Sequence, residues 1–459
     1  MKMRACRYFP GVRWWPLRQN IAVVGTWEDL WHNVIARTVP AVKDVAAIFK
    51  SEYDDVAYSL RGTAGELSRA EREGGSIVDG AAGSRAGAGV SGPQLRVMST
   101  APNHDLNSFL AKYAYHDDEG WTGGDSTYVR RLPGDRHVIM FSDTFLGRLA
   151  ADGSRVPETP FVSNSFVVVD RDGQARTLLS RTLDDQARAV LPPQADRFHW
   201  LGGSHVTGRD TLDVMYLRFT GDSRVLDTGG DFDAARLRTA LIPGGAGELE
   251  MHGNLLARFD ARDLSLLDVT PMPSETGVHW ASWVEHDAVG DHTYVYGVHD
   301  EGAEKFMHIA RVPGDDLRQP WEFSDGQGGW SAREADSAPV MSGVANEYSV
   351  ARLSDRHFLL VTQDTAVPYS PDIVGYLSES PAGPFRSPAL LHRATESGPA
   401  GFYRDPETVV YNAHEQPDLR RGNELTITYN LNSSVQNVLD VSSKYRPNAV
   451  RVRVRVEVT

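Results

Sequence analysis

One cysteine, Cys6, stands among 459 residues, so no disulfide can close within the chain and no cysteine-based zinc site can be built. Long apolar runs are missing too. Ile21-Ala22-Val23-Val24-Gly25 is too short for a membrane span or for the core of an export signal. Basic charge is in short supply. The 47 Lys and Arg are outnumbered by 61 Asp and Glu, and the net charge is −14. Nucleic acid is therefore not an expected partner, because a phosphate backbone attracts basic surfaces. No phosphate-binding Walker loop, dinucleotide glycine fingerprint, His-Glu-x-x-His or Gly-x-Ser-x-Gly is present. The histidines His279, His286, His292 and His299 are scattered, so no metal ligands are assigned and no cofactor is required. They are weak evidence for a catalytic metal, and a structural cation on the axis of the fold is the better-supported ion.

What is present falls into four segments. Residues 1–25 carry Lys2, Arg4, Arg7, Arg13 and Arg18 and are expected to be a disordered basic tail. Residues 26–70 repeat apolar positions (Leu30, Val34, Ile35, Val42, Val45, Ala46, Ile48) at helical spacing, with Pro40 as a break. This short helical segment is a candidate for docking a protein partner. Residues 71–100 are rich in Gly, Ala and Ser and are expected to be a flexible linker, with too little apolar surface to offset chain entropy.

From 101 to 459 the pattern is all-β. Short apolar runs such as Phe166-Val167-Val168-Val169 and Phe358-Leu359-Leu360-Val361 alternate with Gly, Asp, Asn and Pro punctuation. Strand–turn–strand units recur. With Ser126, Ser204, Ser282, Ser349 and Thr408 as markers, the intervals are 78, 78, 67 and 59 residues. Each interval accommodates a four-stranded sheet, so a five-bladed β-propeller is expected, with a β-sandwich as the weaker reading. The tail Val450-Arg451-Val452-Arg453-Val454 alternates strictly and predicts a solvent-facing outer strand. Either this tail or a strand near 108–116 is expected to join the last blade to the first.

In such a fold, polar residues on the innermost strands line a funnel. The first unit supplies Asp125 and Asp143, 18 residues apart, a gap that suits the two ends of one hairpin. Later units supply His205, Trp280, Trp283, Glu285, Glu347, Glu407, His414 and Asn430. Singly, each has an ordinary reading: an Asx-turn for Asp125, a strand cap for Asp143, blade packing for the tryptophans. Together they suit glycoside hydrolysis, which needs one protonated and one ionised carboxyl across the scissile bond.

The run Gly124-Asp125-Ser126, then Phe141-Ser142-Asp143-Thr144-Phe145-Leu146-Gly147, then Asn164-Ser165 resembles the propeller domains of actinobacterial endo-D-arabinanases, glycoside hydrolase family 183. More distantly it is similar to the five-bladed arabinanases and xylosidases. Ser378-Glu379-Ser380-Pro381-Ala382-Gly383-Pro384-Phe385 and Thr428-Tyr429-Asn430-Leu431-Asn432-Ser433 add to the resemblance, which spans about 110–450. Ser126 and Ser142 depart from it, standing where glycines are usual. The resemblance implies a secreted or cell-surface glycosidase that cleaves a furanoside-rich polysaccharide such as an arabinan, with Asp125 and Asp143 as its carboxylate pair. From their positions alone, the other eight residues are candidates for substrate contact, with His205, Glu285, Glu347 and His414 alternatively tuning the carboxylates and Trp280 and Trp283 stacking on sugar faces. The rival expectation is a non-catalytic propeller that binds glycans or proteins.

Overall fold

The computed structural model describes residues 92–458 except 116–119, 157–158, 182–184, 186, 195–196, 209, 221–249, 303 and 434. The tail, the helical segment and most of the expected linker lie outside the described residues. Strands dominate the rest, in five main antiparallel sheets. The first contains Tyr128–Leu132, Arg136–Phe141, Ser165–Val169 and Ala175–Leu178. The second contains Arg197–Thr207, Thr211–Thr220, Glu250–Asp260 and Leu266–Met272. His279–Asp287, His292–Asp300 and Lys305–Pro313 lead the third, which ends in short strands at Glu322–Ser324 and Trp330–Ser331. The fourth contains Tyr348–Ser354, His357–Gln363, Asp372–Ser378 and Arg386–Arg393.

The fifth sheet departs from chain order. Val409–Glu415, Glu424–Asn432 and Asn448–Val458 are followed on the outside by the N-terminal strand Pro93–Pro102. Two expectations change here. Pro93–Pro102 starts inside the segment read as a linker, where Leu95 and Val97 pair with Val456 and Val454. The tail is therefore not the outermost strand, because Pro93–Pro102 covers its free edge and removes a row of unpaired backbone groups. The stretch around 108–116 falls mostly in an α-helix, His104–Tyr113, capped by the Asn103 side chain, which accepts from Leu106 N at 3.3 Å. The alternation in the tail itself works as read. Val450, Val452 and Val454 are buried, roughly 1.5–3 kcal/mol each, while Arg453 and Arg455 are exposed.

The five markers of the repeat all fall in, or within two residues of, the leading strand of a sheet. Those leading strands touch one another. Arg130 Nε donates to Ser204 O at 3.0 Å, and Arg352 N donates to Glu285 Oε1 at 2.9 Å. Glu415 N donates to Ser349 Oγ at 2.8 Å, and Val129 N donates to Gln416 Oε1 at 2.9 Å, linking the fifth sheet to the first. Between the second and third sheets the approach is closer still. A Cβ on Gly202 would stand 2.0 Å from Ala281 O, and one on Gly203 would stand 2.7 Å from Trp283 Cα, so only glycine fits there. Among the described residues no helix is long and apolar enough to cross a membrane.

Candidate active site

Gly123-Gly124-Asp125-Ser126-Thr127 enters the first sheet through a strained turn. Ser126 and Thr127 have φ of 66° and 57°, the left-handed region that favours glycine. Holding a β-branched threonine there costs on the order of 1–3 kcal/mol, and such strain gathers at functional sites. Ser126 thus occupies a backbone position that favours glycine, in keeping with the departure noted in the sequence. Its hydroxyl gives the departure a use. Ser126 Oγ donates to Glu347 Oε1 at 2.6 Å, across to the start of the fourth sheet.

The strand pairing of Tyr128 with Met140 continues outward past the sheet. Asp125 N donates to Asp143 O at 3.1 Å, and Ser142 N donates to Asp125 O at 3.1 Å. The two aspartates are thereby cross-strand neighbours at one end of the hairpin. Each is held differently. Asp125 Oδ2 accepts from two phenols, Tyr411 at 3.0 Å and Tyr445 at 3.1 Å, while its Oδ1 is buried without a partner. Asp143 Oδ1 accepts from the Trp200 indole at 2.7 Å, and the residue is 3 % exposed.

Burial sets the charge of all three carboxyls, because it penalises the ionised form. Asp125 is pushed up to about 6, partly offset by the phenols. Asp143 is raised well above the usual carboxylate range, first by burial and then by the charge of Asp125. Glu347 is pushed up to about 8, first by burial, with the Asp125 charge adding to it. Near neutral pH Asp125 is therefore ionised and Glu347 neutral, while Asp143 is biased toward its protonated form. Glu347 is the more open of the two acids, its side chain 16 % exposed.

Beneath the carboxyls lies His414, with no exposed surface. Its Nε2 faces Thr127 O at 2.9 Å and must donate, so Nδ1 carries the lone pair and stands 3.8 Å from Glu347 Oε2. Burial pulls His414 down to about 4, and it stays neutral. Asn430 Nδ2 donates to Thr127 Oγ1 at 3.1 Å and to Gly124 O at 3.3 Å, bracing the strained turn. Three acceptors around this floor are buried without a partner, Asp125 Oδ1, His414 Nδ1 and Asn430 Oδ1, and so is Glu347 Oε2, which carries the proton of the neutral acid. Unpaired buried acceptors are costly, and a ligand rich in hydroxyl donors would satisfy them.

Tyr445 reaches Asp125 from the segment between the last two strands of the fifth sheet, which Arg155 pins. The buried guanidinium donates to Val438 O at 2.6 Å and to Thr122 O at 2.8 Å, and lies 4.6 Å from the Phe145 ring centre. A Cβ on Gly123 would meet Tyr445 O at 2.2 Å, so glycine is required for the segment to seat. Tyr445→Phe removes one donor from the ionised form of Asp125. The Asp125 carboxyl is expected to titrate roughly one pH unit higher, which a ¹³C NMR titration of labelled aspartate reads directly. An unmoved Asp125 resonance would mean that the phenol does not set its charge.

Of the residues expected at the site from sequence, Asp125, Asp143, Glu347, His414 and Asn430 come together. The others do not. Trp280 is fully buried among Trp321 and Phe323 and donates to Glu334 Oε1 at 3.0 Å, so it offers no face to a sugar. Trp283 is also fully buried, under Arg130 at 4.7 Å, and packs rather than stacks on substrate. His205 lies near the far end of its strand, 5.4 Å from His286, and burial lowers it to about 4. Glu285 is likewise at the far end of its strand, tied to Arg352 N, and burial raises it to about 7. Glu407 is exposed on a loop, its Oε2 accepting from Asn437 Nδ2 at 3.4 Å. Three residues of the site were not foreseen: Tyr411, Tyr445 and Trp200. Tyr411 stands at the start of a leading strand, as Glu347 precedes its own, and that position was the available signal. Tyr445 lies in an irregular connection and left none. No His, Cys, Asp and Glu grouping suited to a metal ion occurs among the described residues.

No curated protein matches the sequence. A presumptive hydrolase from Bacteroides ovatus shares the fold, with a TM-score of 0.61 at 18 % identity over 78 % of this chain and 93 % of that one. Weaker likenesses include the α-L-arabinofuranosidase PaAbf62A of Podospora anserina, solved with cellotriose (TM-score 0.39, 10 % identity, 80 % and 97 % covered). Another is a GH43_1 enzyme of Xanthomonas citri, solved with xylotriose (TM-score 0.39, 13 % identity, 76 % and 92 % covered). A family model, the domain of unknown function DUF5005, matches residues 103–454. By that match over most of its length, the chain belongs to the DUF5005 family.

Proposed function

We propose that this chain is a glycoside hydrolase acting on a furanoside-rich polysaccharide such as an arabinan, built as a five-bladed β-propeller whose leading strands line the substrate funnel. The observation that carries this reading is the carboxyl cluster. Asp125, ionised near neutral pH and with Oδ1 free of protein partners, stands beside Asp143, which burial biases toward its protonated form, and neutral Glu347 is joined to the same turn through Ser126. Glycoside hydrolysis asks for that mixture of charge states. The B. ovatus protein of the same fold is described as a hydrolase, in keeping with it.

The division of labour follows from exposure and hydrogen bonding. Asp125 acts through Oδ1, as nucleophile or as base toward water, with the two phenols fixing Oδ2. Glu347 protonates the departing oxygen, because it is neutral, partly open and unpartnered at Oε2. Asp143, enclosed and held by Trp200, is biased toward its protonated form and positions Asp125 by accepting its backbone N–H. His414 and Asn430 hold the turn that carries Asp125 and offer acceptors to sugar hydroxyls.

The test is incubation of the full chain with arabinan, arabinogalactan and xylan, followed by measurement of new reducing ends and of retained polysaccharide. Release of reducing ends from the arabinan is expected. Retention without release would instead assign the chain to glycan binding, and neither outcome on any of the three would remove the carbohydrate reading.

A further inference from the structure

Phe402 is a large apolar side chain left 77 % exposed, on the connection that leads into the first strand of the fifth sheet. That connection is not loose. Phe402 N donates to Thr395 O at 2.8 Å, Gly401 N to Gly398 O at 3.0 Å, and Gly398 N to Thr408 O at 3.2 Å. Asp405 clasps it to the segment that carries Tyr445. One oxygen, Oδ2, accepts from Lys444 Nζ at 2.8 Å, Ser433 Oγ at 2.7 Å, Thr408 Oγ1 at 2.8 Å and Asn437 Nδ2 at 3.1 Å. These donors, and above all the Lys444 ammonium, hold Asp405 far below the usual carboxylate range despite its partial burial. The ring of Phe402 stands edge-on to Tyr403, with centres 5.1 Å apart, and Tyr403 OH donates to Ser443 Oγ at 2.8 Å. Ser443 is two residues from Tyr445, which bonds Asp125. A fixed aromatic surface is thus joined, through one short run of contacts, to the carboxyl cluster.

Exposing a phenyl ring forgoes roughly 1.5–3 kcal/mol of burial. A rigid, clasped loop that keeps the ring in water has no packing reason to do so. A sugar ring presents C–H bonds on one face, which suit an aromatic surface, and hydroxyls at its edge, which suit the neighbouring polar groups. We infer that Phe402, presented by the Asp405-clasped loop, forms an outlying subsite for a sugar unit of the same glycan chain whose scissile bond lies at Asp125. The inference rests on the glycosidase reading and extends it: the chain favours polymers and long oligosaccharides over short ones.

The experiment measures binding of arabinofuranosyl oligosaccharides of two and six units by titration calorimetry, on the full chain carrying Asp125→Asn so that nothing is cleaved. Adding Phe402→Ala is expected to weaken the six-unit ligand by about tenfold and the two-unit ligand by less than about twofold. Phe402→Trp is expected to keep the six-unit affinity. Because the side chain is mostly in solvent, these substitutions leave the melting temperature nearly unchanged, which guards against a folding artefact. Equal losses for both lengths, or no loss for either, would overturn the subsite while the glycosidase reading stands. Failure of the wild-type chain to bind or cleave any such glycan would remove that reading, and the subsite with it.

Discussion

Asp125→Asn is expected to lower turnover by on the order of 10²–10⁴ on whichever glycan the wild-type chain hydrolyses, with the fold intact. The substitution suits the site sterically. The amide oxygen still accepts from Tyr411 and Tyr445, and the amide nitrogen takes the place of the unpartnered Oδ1. Only the negative charge is lost, and the charge is what a nucleophile or base supplies. Asp143→Asn makes the informative contrast. An asparagine mimics a neutral carboxyl, so if Asp143 holds its proton through the reaction, this variant keeps far more activity than Asp125→Asn. Steady-state kinetics with thermal melts of each variant decide the ranking. Equal loss at both positions would return Asp143 to the reacting pair.

The second large effect is expected at Glu347, in activity and in stability alike. Activity should rise as Asp125 ionises near pH 6 and fall as Glu347 loses its proton near pH 8, giving a bell-shaped profile. Glu347→Gln cannot donate a proton. It should cost on the order of 10²–10⁴ with sugar leaving groups, and far less with an activated aryl leaving group that departs without help. The stability effect has a definite sign. The folded chain binds the Glu347 proton up to about pH 8, whereas an unperturbed glutamate releases it near 4.5. Between those values the folded state carries more protons than the unfolded one, so stability falls as pH rises. The penalty amounts to a few kcal/mol when the whole window is crossed. Glu347→Gln removes that slope. Wild-type protein should lose more melting temperature between pH 5 and pH 9 than the variant does, and parallel curves would show that Glu347 is not the buried proton holder.

How much of this was legible in the residues varies with the kind of signal. Alternation along Val450–Val458 and the spacing of Ser126, Ser204, Ser282, Ser349 and Thr408 located the tail strand and the leading strands of the sheets, because period and punctuation are local properties. The outermost strand was hidden. Leu95 and Val97 are two apolar residues at the edge of a Gly- and Ala-rich stretch, and only their pairing with Val456 and Val454, some 360 positions away, makes them a strand. A single helix, His104–Tyr113, displaced the expected strand because Asn103 caps it, a short-range cue outweighed in the sequence by the surrounding β pattern.

The site divides in the same way. Asp125 and Asp143 are linked by an 18-residue hairpin, so their nearness could be deduced. Glu347 and His414 precede or occupy leading strands and were found by position. Trp280, Trp283, His205 and Glu285 also sit on a leading strand, but facing the core or at its other end, a choice made by burial that composition does not show. Tyr445 depends on an irregular segment anchored by Arg155, and Phe402 on a loop clasped by Asp405. Both are set by tertiary hydrogen bonds with no sequence period.

The most direct measurement is a reducing-end time course on arabinan at pH 7, run on the full chain beside folded Asp125→Asn and Glu347→Gln variants. Steady release by the wild-type chain, with both variants reduced at least 100-fold, is the expected result. Release that continues undiminished in either folded variant would contradict the catalytic role given to that carboxyl, and undiminished release in both would place the chemistry elsewhere on the molecule.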